Sequence, residues 1–378
     1  MLLDQYNIIK LRTAADEDCN TSILVIYTGG TIGMDYDENG SLVPFDFEVL
    51  LEKVPELTRF KFWLTMLVPF EPMDSSNMGT EHWLSMSWLI EELYDEFDGF
   101  VILHGTDTMA YSASAMSFLL QNLAKPVILT GAQIPISAHR TDARENLIGA
   151  LEIASMQESK QQIVITEEGN EIIKEQNVAL VPEVCVYFDN LLLRGNRSKK
   201  VQSLNFTAFE SQNYPHLAEA GIFINYAKSY ILPVPNKKLD LKSAMDDNVI
   251  LWKIHPSMNP KYYLPMLEND SLKGVVLESF GSGNIPTEKW IIDILSKIIN
   301  RGVVVVNVSQ CAGGYVLQGH YETSHALTQI GVISANDLTS EAALTKLMYL
   351  FGNYDHKKEK EKIIELLQTP LCGEMTLF

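Results

Sequence analysis

The feature that most constrains this chain is the alternation of short, nearly all-apolar runs with longer helical stretches. Residues 22–27 (SILVIY), 100–103 (FVIL), 126–129 (PVIL) and 162–166 (QIVIT) have strand length and are rich in β-branched side chains. Runs that lack a polar alternate suit strands covered on both faces, as in a parallel sheet. Between them, residues 81–97, 108–123 and 141–156 carry amphipathic helical patterns. A repeating strand–helix order reads as an α/β fold with right-handed crossovers.

With 378 residues, 46% of them apolar, the chain is long enough for two compact domains. Residues 230–248 are polar and irregular, with Pro233 and Pro235 ahead of KKLDLKSAMDDN, and read as a linker. The expected layout is an N-terminal extension over 1–20, a larger Rossmann-like parallel-sheet domain over 21–229, the linker, and a smaller C-terminal α/β domain over 249–378. In the last of these, 274–277 and 303–308 read as strands and 288–300 and 340–351 as helices. Residues 357–368 read as a charged terminal helix whose lysines and glutamates face solvent.

A net charge of −19 argues against a polyanionic partner, whether nucleic acid or an acidic membrane face. It suits a small-molecule substrate without selecting a chemistry. The longest apolar stretches have only strand length, so no membrane-spanning helix is expected. The first residues, MLLDQ, lack a basic start and an apolar core, which leads to the expectation of a cytoplasmic protein. Cys19, Cys185, Cys311 and Cys372 lie far apart, with no C-x-x-C pair and no histidine at zinc-ligand spacing. That pattern argues against a disulfide framework and a structural metal.

Three unusual loops directly follow expected strands: TGGTIG over 28–33, HGTDT over 104–108 and TGAQ over 130–133. In open parallel sheets ligands bind beyond the carboxyl ends of the strands, so the loops should converge on one site. Glycine lets the backbone approach a ligand closely. A threonine hydroxyl is a weak nucleophile until a positioned base activates it. Asp107 offers a carboxylate beside Thr106, and a desolvated lysine can complete such a relay; the loop RGNRSKK over 194–200 holds two.

Taken singly, each piece has a plainer reading. TGGT can be a structural turn, GTDT a helix N-cap, and RGNRSKK a solvated basic turn. Thr28-x-Gly30-x-x-Gly33 also approaches the dinucleotide fingerprint, but threonine stands at its first glycine and no ribose-binding acid follows. Joint occurrence at successive strand ends favours a catalytic site.

These segments resemble the signatures of bacterial-type L-asparaginases, most nearly the cytoplasmic type I branch. The resemblance rests on TGGTIG, on HGTDTM over 104–109 and on VILTGAQIP over 127–135. It extends through residues 74–78, 188–200, 279–284, 303–311 and 339–350, nearly the whole chain after residue 20. The resemblance implies cofactor-independent hydrolysis of asparagine to aspartate and ammonia through an acyl-enzyme. Thr31 would be the nucleophile, and Thr106, Asp107 and Lys200 the second catalytic group. Lys200 rather than Lys199 is implied, because the family's lysine precedes a phenylalanine, here Phe209, by nine residues. Asp107 would also hold the substrate's α-ammonium and Ser75 its α-carboxylate. The Ala132 carbonyl would accept from the leaving amide, and backbone N–H groups near Thr31 and Thr106 would form the oxyanion hole. Relatives are homodimers or homotetramers, so a homo-oligomer is implied.

Two departures stand out. Ser41 occupies the place of a mobile tyrosine ten residues after the nucleophile, with Tyr36 and Tyr321 as candidate substitutes. Some type I enzymes carry a regulatory asparagine site; its arginine and threonine correspond here to Glu278 and Lys199, while Cys311 matches. A glutamate repels an effector carboxylate, so this mode of activation is not expected. The alternatives are a glutaminase, a transamidation subunit supplying ammonia to a charged tRNA, and a non-catalytic binding protein. The transamidation subunit usually has a further N-terminal domain and fits the acidic charge poorly. A binding protein has no need of two candidate hydroxyl nucleophiles.

Overall fold

The computed structural model describes residues 6–14, 19–36, 42–44, 47–165, 171–317 and 322–377. Its main sheet has nine strands: β1 (Asn7–Arg12), β2 (Thr21–Tyr27), β3 (Phe62–Val68), β4 (Gly99–Leu103), β5 (Val127–Thr130), β6 (Val184–Phe188), β7 (Leu191–Arg194), β8 (Ala218–Ala220) and β9 (Ile224–Tyr226). In space the order is β1-β3-β2-β4-β5-β6-β7-β8-β9. The five strands from β3 to β6 run parallel, and antiparallel strands finish both edges. Every residue of β4, β5 and β6 is buried, as their unbroken apolar runs require.

Three local expectations change. The run at 162–166 is not a strand of the parallel sheet. Gln157–Ile165 pairs antiparallel with Glu171–Ala179 as a separate hairpin, and β6 is the fifth parallel strand instead. A short apolar run has no feature that says which neighbour it will pair with. Residues 7–12, read as part of an extension, form the edge strand β1 against β3. Within residues 230–248, Asp240–Leu241 pairs with Leu120–Gln121.

The helices that cover this sheet include α1 (Thr80–Glu92), α2 (Met109–Leu119) and α3 (Ala143–Ser155). The middle one departs from the amphipathic reading, since all of α2 except Tyr111 is buried. Its second face meets the C-terminal part of the chain, where Phe118 stacks on Tyr349 at 5.9 Å. That part has a four-stranded parallel sheet, β10 (Val249–Lys253), β11 (Gly274–Ser279), β12 (Val304–Ser309) and β13 (Ile333–Ser334). Helices α4 (Lys289–Arg301), α5 (Ser340–Asn353) and α6 (Lys360–Leu367) accompany it. One apolar cluster runs from α1 and α2 through α5 to β12, so the two sheets share a continuous core.

Candidate active site

Strand register sets the level of the site. Tyr27, Leu103 and Thr130 are aligned neighbours on β2, β4 and β5, so the loops that follow start side by side. Backbone hydrogen bonds continue the ladder past the strand ends, with Thr28 N donating to Leu103 O and His104 N to Thr130 O. The buried Thr28 hydroxyl donates to the same Leu103 carbonyl at 3.0 Å. Burial thus makes Thr28 a structural member of its loop.

Gly29 and Gly30 have φ of +117° and +84°, conformations that side chains strain against. A Cβ on Gly30 would stand 2.5 Å from Gly105 Cα, so the first loop lies directly on the second. Thr31, next in sequence and half-buried, opens a single 3-10 turn over Thr31–Gly33. Tyr27 closes that turn, its hydroxyl donating to Gly33 O at 2.9 Å. Burial pushes the Tyr27 phenol up to about 12, so it stays a donor at neutral pH.

A fourth segment joins these loops. Met73 N donates to Thr28 O, and Asp74 caps the turn Ser75–Asn77 by accepting from Ser76 N at 2.8 Å. The Thr108 hydroxyl donates to Ser75 O at 2.7 Å, which ties this turn to the second loop. Ser75 is buried there. Beneath the second loop lies His104, fully buried, with Nδ1 2.7 Å from Gly105 O and Nε2 2.8 Å from Ser112 Oγ. The Gly105 carbonyl can only accept, so the neutral imidazole carries its hydrogen on Nδ1, and Nε2 accepts from the Ser112 hydroxyl, which in turn accepts from Trp83 Nε1. Burial drives the His104 pKa down to about 4, leaving it a neutral strut.

The third loop is fixed from α3. Asn146 Nδ2 donates to Gly131 O, and Asp142 accepts from the backbone of Gln133 and Ile134. Ala132 between them is buried. No motif in the sequence singled out Asn146 or Asp142.

Lys200 arrives from outside the parallel strands, on Lys199–Lys200 paired antiparallel with Phe209–Glu210. Its Nζ donates to Thr106 Oγ1 at 2.7 Å and to Asp107 Oδ1 at 2.6 Å. The Asp107 side chain is 65% exposed, whereas that of Lys200 is 17% exposed. This arrangement presents a carboxylate to solvent and holds an amine against a hydroxyl. If the amine is neutral, it can take the hydroxyl's proton.

The turn before Lys200 contradicts its plain reading as a solvated basic turn. Arg194 and Arg197 are almost fully buried, paired with Glu183 at 2.6 Å and Asp337 at 2.7 Å. The positions compared with a regulatory site are also engaged. Glu278 pairs with Lys253 at 2.9 Å and accepts from the Ser340 hydroxyl, while Lys199 lies 3.6 Å from Glu341. Tyr36 ends a short strand, but its side chain, like all of Ser41 and Tyr321, lies outside the described residues.

Known proteins give this geometry a context. The sequence profile "Asparaginase, N-terminal" matches residues 22–231, and "Glutaminase/Asparaginase C-terminal domain" matches 248–364. The chain is 38% identical to L-asparaginase 1 of Escherichia coli strain K12 over 94% of its own length and 98% of that protein. It is also 38% identical to the human 60 kDa lysophospholipase, covering 94% of this chain but only 61% of that longer protein. Among solved structures, L-asparaginase I of Vibrio cholerae superposes with a TM-score of 0.79 at 36% identity, covering 94% of this chain and 99% of that one.

Proposed function

The chain belongs to the asparaginase family, an amide-hydrolysing group, and from that premise we propose that it converts L-asparagine to L-aspartate and ammonia through an acyl-enzyme on Thr31. The single observation that carries this reading is the double hydrogen bond of Lys200 to Thr106 and Asp107, beside the loop that presents Thr31. In the proposed reaction Thr31 Oγ attacks the side-chain amide carbon, and its proton passes to the leaving nitrogen, which departs as ammonia. Water then adds to the aspartyl ester, and the C–O bond to Thr31 breaks to return the free hydroxyl. Lys200, through Thr106, shuttles the proton in each half-reaction. Backbone N–H groups near Thr31 and Thr106 stabilise the developing oxyanion.

Asp107 is the proposed partner of the substrate's α-ammonium, and its exposure leaves the carboxylate available to one. Ser75 takes the α-carboxylate, and the Ala132 carbonyl accepts from the amide N–H. Within this reading residues 21–229, joined by the edge strand β1, are the catalytic domain, 230–248 the linker and 249–378 the C-terminal domain. The working unit is a homo-oligomer in the cytoplasm; among the described residues no helix is long and apolar enough to cross a membrane.

The test is ammonia release from asparagine, glutamine and other amides, with fatty-acid release from a lysophospholipid alongside. Asparagine is expected to be the best substrate. Thr31→Ala should lower kcat by ~10⁴-fold or more and Lys200→Met by ~10³-fold, with folding kept. Full activity in Thr31→Ala, or a higher kcat/KM for the lysophospholipid, overturns the assignment.

A further inference from the structure

Residues 372–376 close over the turn that leads into Lys200, and the C-terminal family match ends before them, at residue 364. The Gly373 carbonyl accepts from Arg194 Nη1 at 3.2 Å and from Arg197 Nε at 2.9 Å. Asn196 Nδ2 lies 3.1 Å from both the carbonyl and the sulfur of Cys372. Arg197 Nη2 donates to Thr376 Oγ1 at 3.1 Å. Asp337 binds both partners at once, taking Arg197 Nη1 on Oδ2 and Thr376 N on Oδ1.

The segment is itself firmly held. Glu374, fully buried, accepts from the N–H groups of Leu371 and Cys372 and pairs with the equally buried Lys346 at 2.6 Å. Gly373 has φ +77°, and a Cβ there would stand 2.4 Å from Arg194 Nη1. Only glycine lets the carbonyl reach both guanidinium groups.

Lys200 follows Arg197 by three residues and sits on the two-residue pairing Lys199–Lys200, held on its far side by Val201 N and Gln202 N donating to Ala208 O. On its near side the aim of the lysine is set by the turn ahead of it. We propose that residues 372–376 are a positioning strap that fixes the Gly195–Arg197 turn and so delivers Lys200 Nζ to Thr106 and Asp107. This rests on the role given to Lys200 above. The strap touches no substrate and acts through the geometry of the amine, where displacement by about 1 Å is enough to slow proton transfer strongly.

Two readouts on Gly373→Ala separate this from general stability. In asparagine hydrolysis kcat should fall ~10-fold while KM changes less, ~3-fold at most, because Ser75 and Ala132 are untouched and only Asp107 is shared between Lys200 and the α-centre. Under dilute acetic anhydride, Lys200 should be acylated ~5-fold faster than in the parent protein, since its amine is no longer held against two acceptors. Lys125, held by the carbonyls of Tyr94 and Phe97, should react at the parent rate and so reports any global loosening. Thr376→Val removes one Arg197 acceptor without new bulk and should shift both readouts less, in the same direction; it serves if Gly373→Ala does not fold. An unchanged Lys200 acylation rate in the folded variants overturns the strap. Full turnover in Lys200→Met overturns the role of the lysine instead, and the acylation rate still decides the strap.

Discussion

The two halves of the site are built by different physics. The half that holds the proposed nucleophile, residues 28–33 with 104–108, is positioned by backbone: aligned strand ends, continued ladder bonds and glycines at contacts too close for a side chain. The lysine half is positioned by charge. Arg194–Glu183, Arg197–Asp337 and Lys346–Glu374 are buried pairs stacked around one turn, and Tyr214 lies 4.5 Å and 4.9 Å from the two guanidinium groups. A sterically set loop is sensitive to added volume and indifferent to charge, whereas the ion-paired half is sensitive to the loss of a charge partner as well as to volume at Gly373. Substitutions should therefore act differently on the two sides.

The largest stability effect is expected on the lysine side. Lys346→Met leaves Glu374 a buried unpaired carboxylate and should cost about 3–5 kcal/mol in urea unfolding, most of it recovered when Glu374→Gln is added. Equal stability of the single and double variants would show that the pair is not what holds the tail. Burial pushes the Glu374 carboxyl up, but the Lys346 ammonium and two backbone N–H groups more than reverse this, so it titrates below the usual range. On the nucleophile side, Gly30→Ala should lower kcat/KM about 10²-fold, near 2.7 kcal/mol, through strain and contact with Gly105. Wild-type activity there would mean that the loop yields, and the contrast between the halves would fail.

A smaller effect comes from His104. Its folded pKa of about 4 lies below the ordinary 6.5, so the unfolded chain binds the extra proton between those values and stability falls as pH drops through that window. The loss from pH 7 to pH 5 attributable to this group is about 2 kcal/mol, read as the difference between the wild type and His104→Gln. Parallel pH profiles would contradict the neutral strut. Smallest of all, the rate curve against asparagine should be hyperbolic, since Glu278 already has Lys253 and Ser340 as partners; a sigmoidal curve would restore an effector site there.

Legibility in the sequence follows the same division. Each strand and its glycine–threonine loop is contiguous, so local pattern shows both the fold class and Thr31, Thr106 and Asp107 as neighbours. The strand Val184–Phe188 and the sheet to which 162–165 belongs are not legible, because apolar runs of that length do not specify a pairing partner. Arg194 and Arg197 look like solvated residues in a basic stretch. Their burial depends on acceptors 11 to 179 residues away, a relation that a single sequence does not display. Resemblance, rather than spacing, is what separated Lys200 from Lys199.

The central claim is an ester at Thr31, and the most direct measurement is rapid acid quench of the enzyme turning over asparagine, followed by peptide mass spectrometry. The account predicts one aspartyl group on the peptide containing Thr31, absent in Thr31→Ala and accumulating in a variant slowed at hydrolysis. An aspartyl group on Thr106 instead, with Thr31 unmodified during turnover, would contradict it.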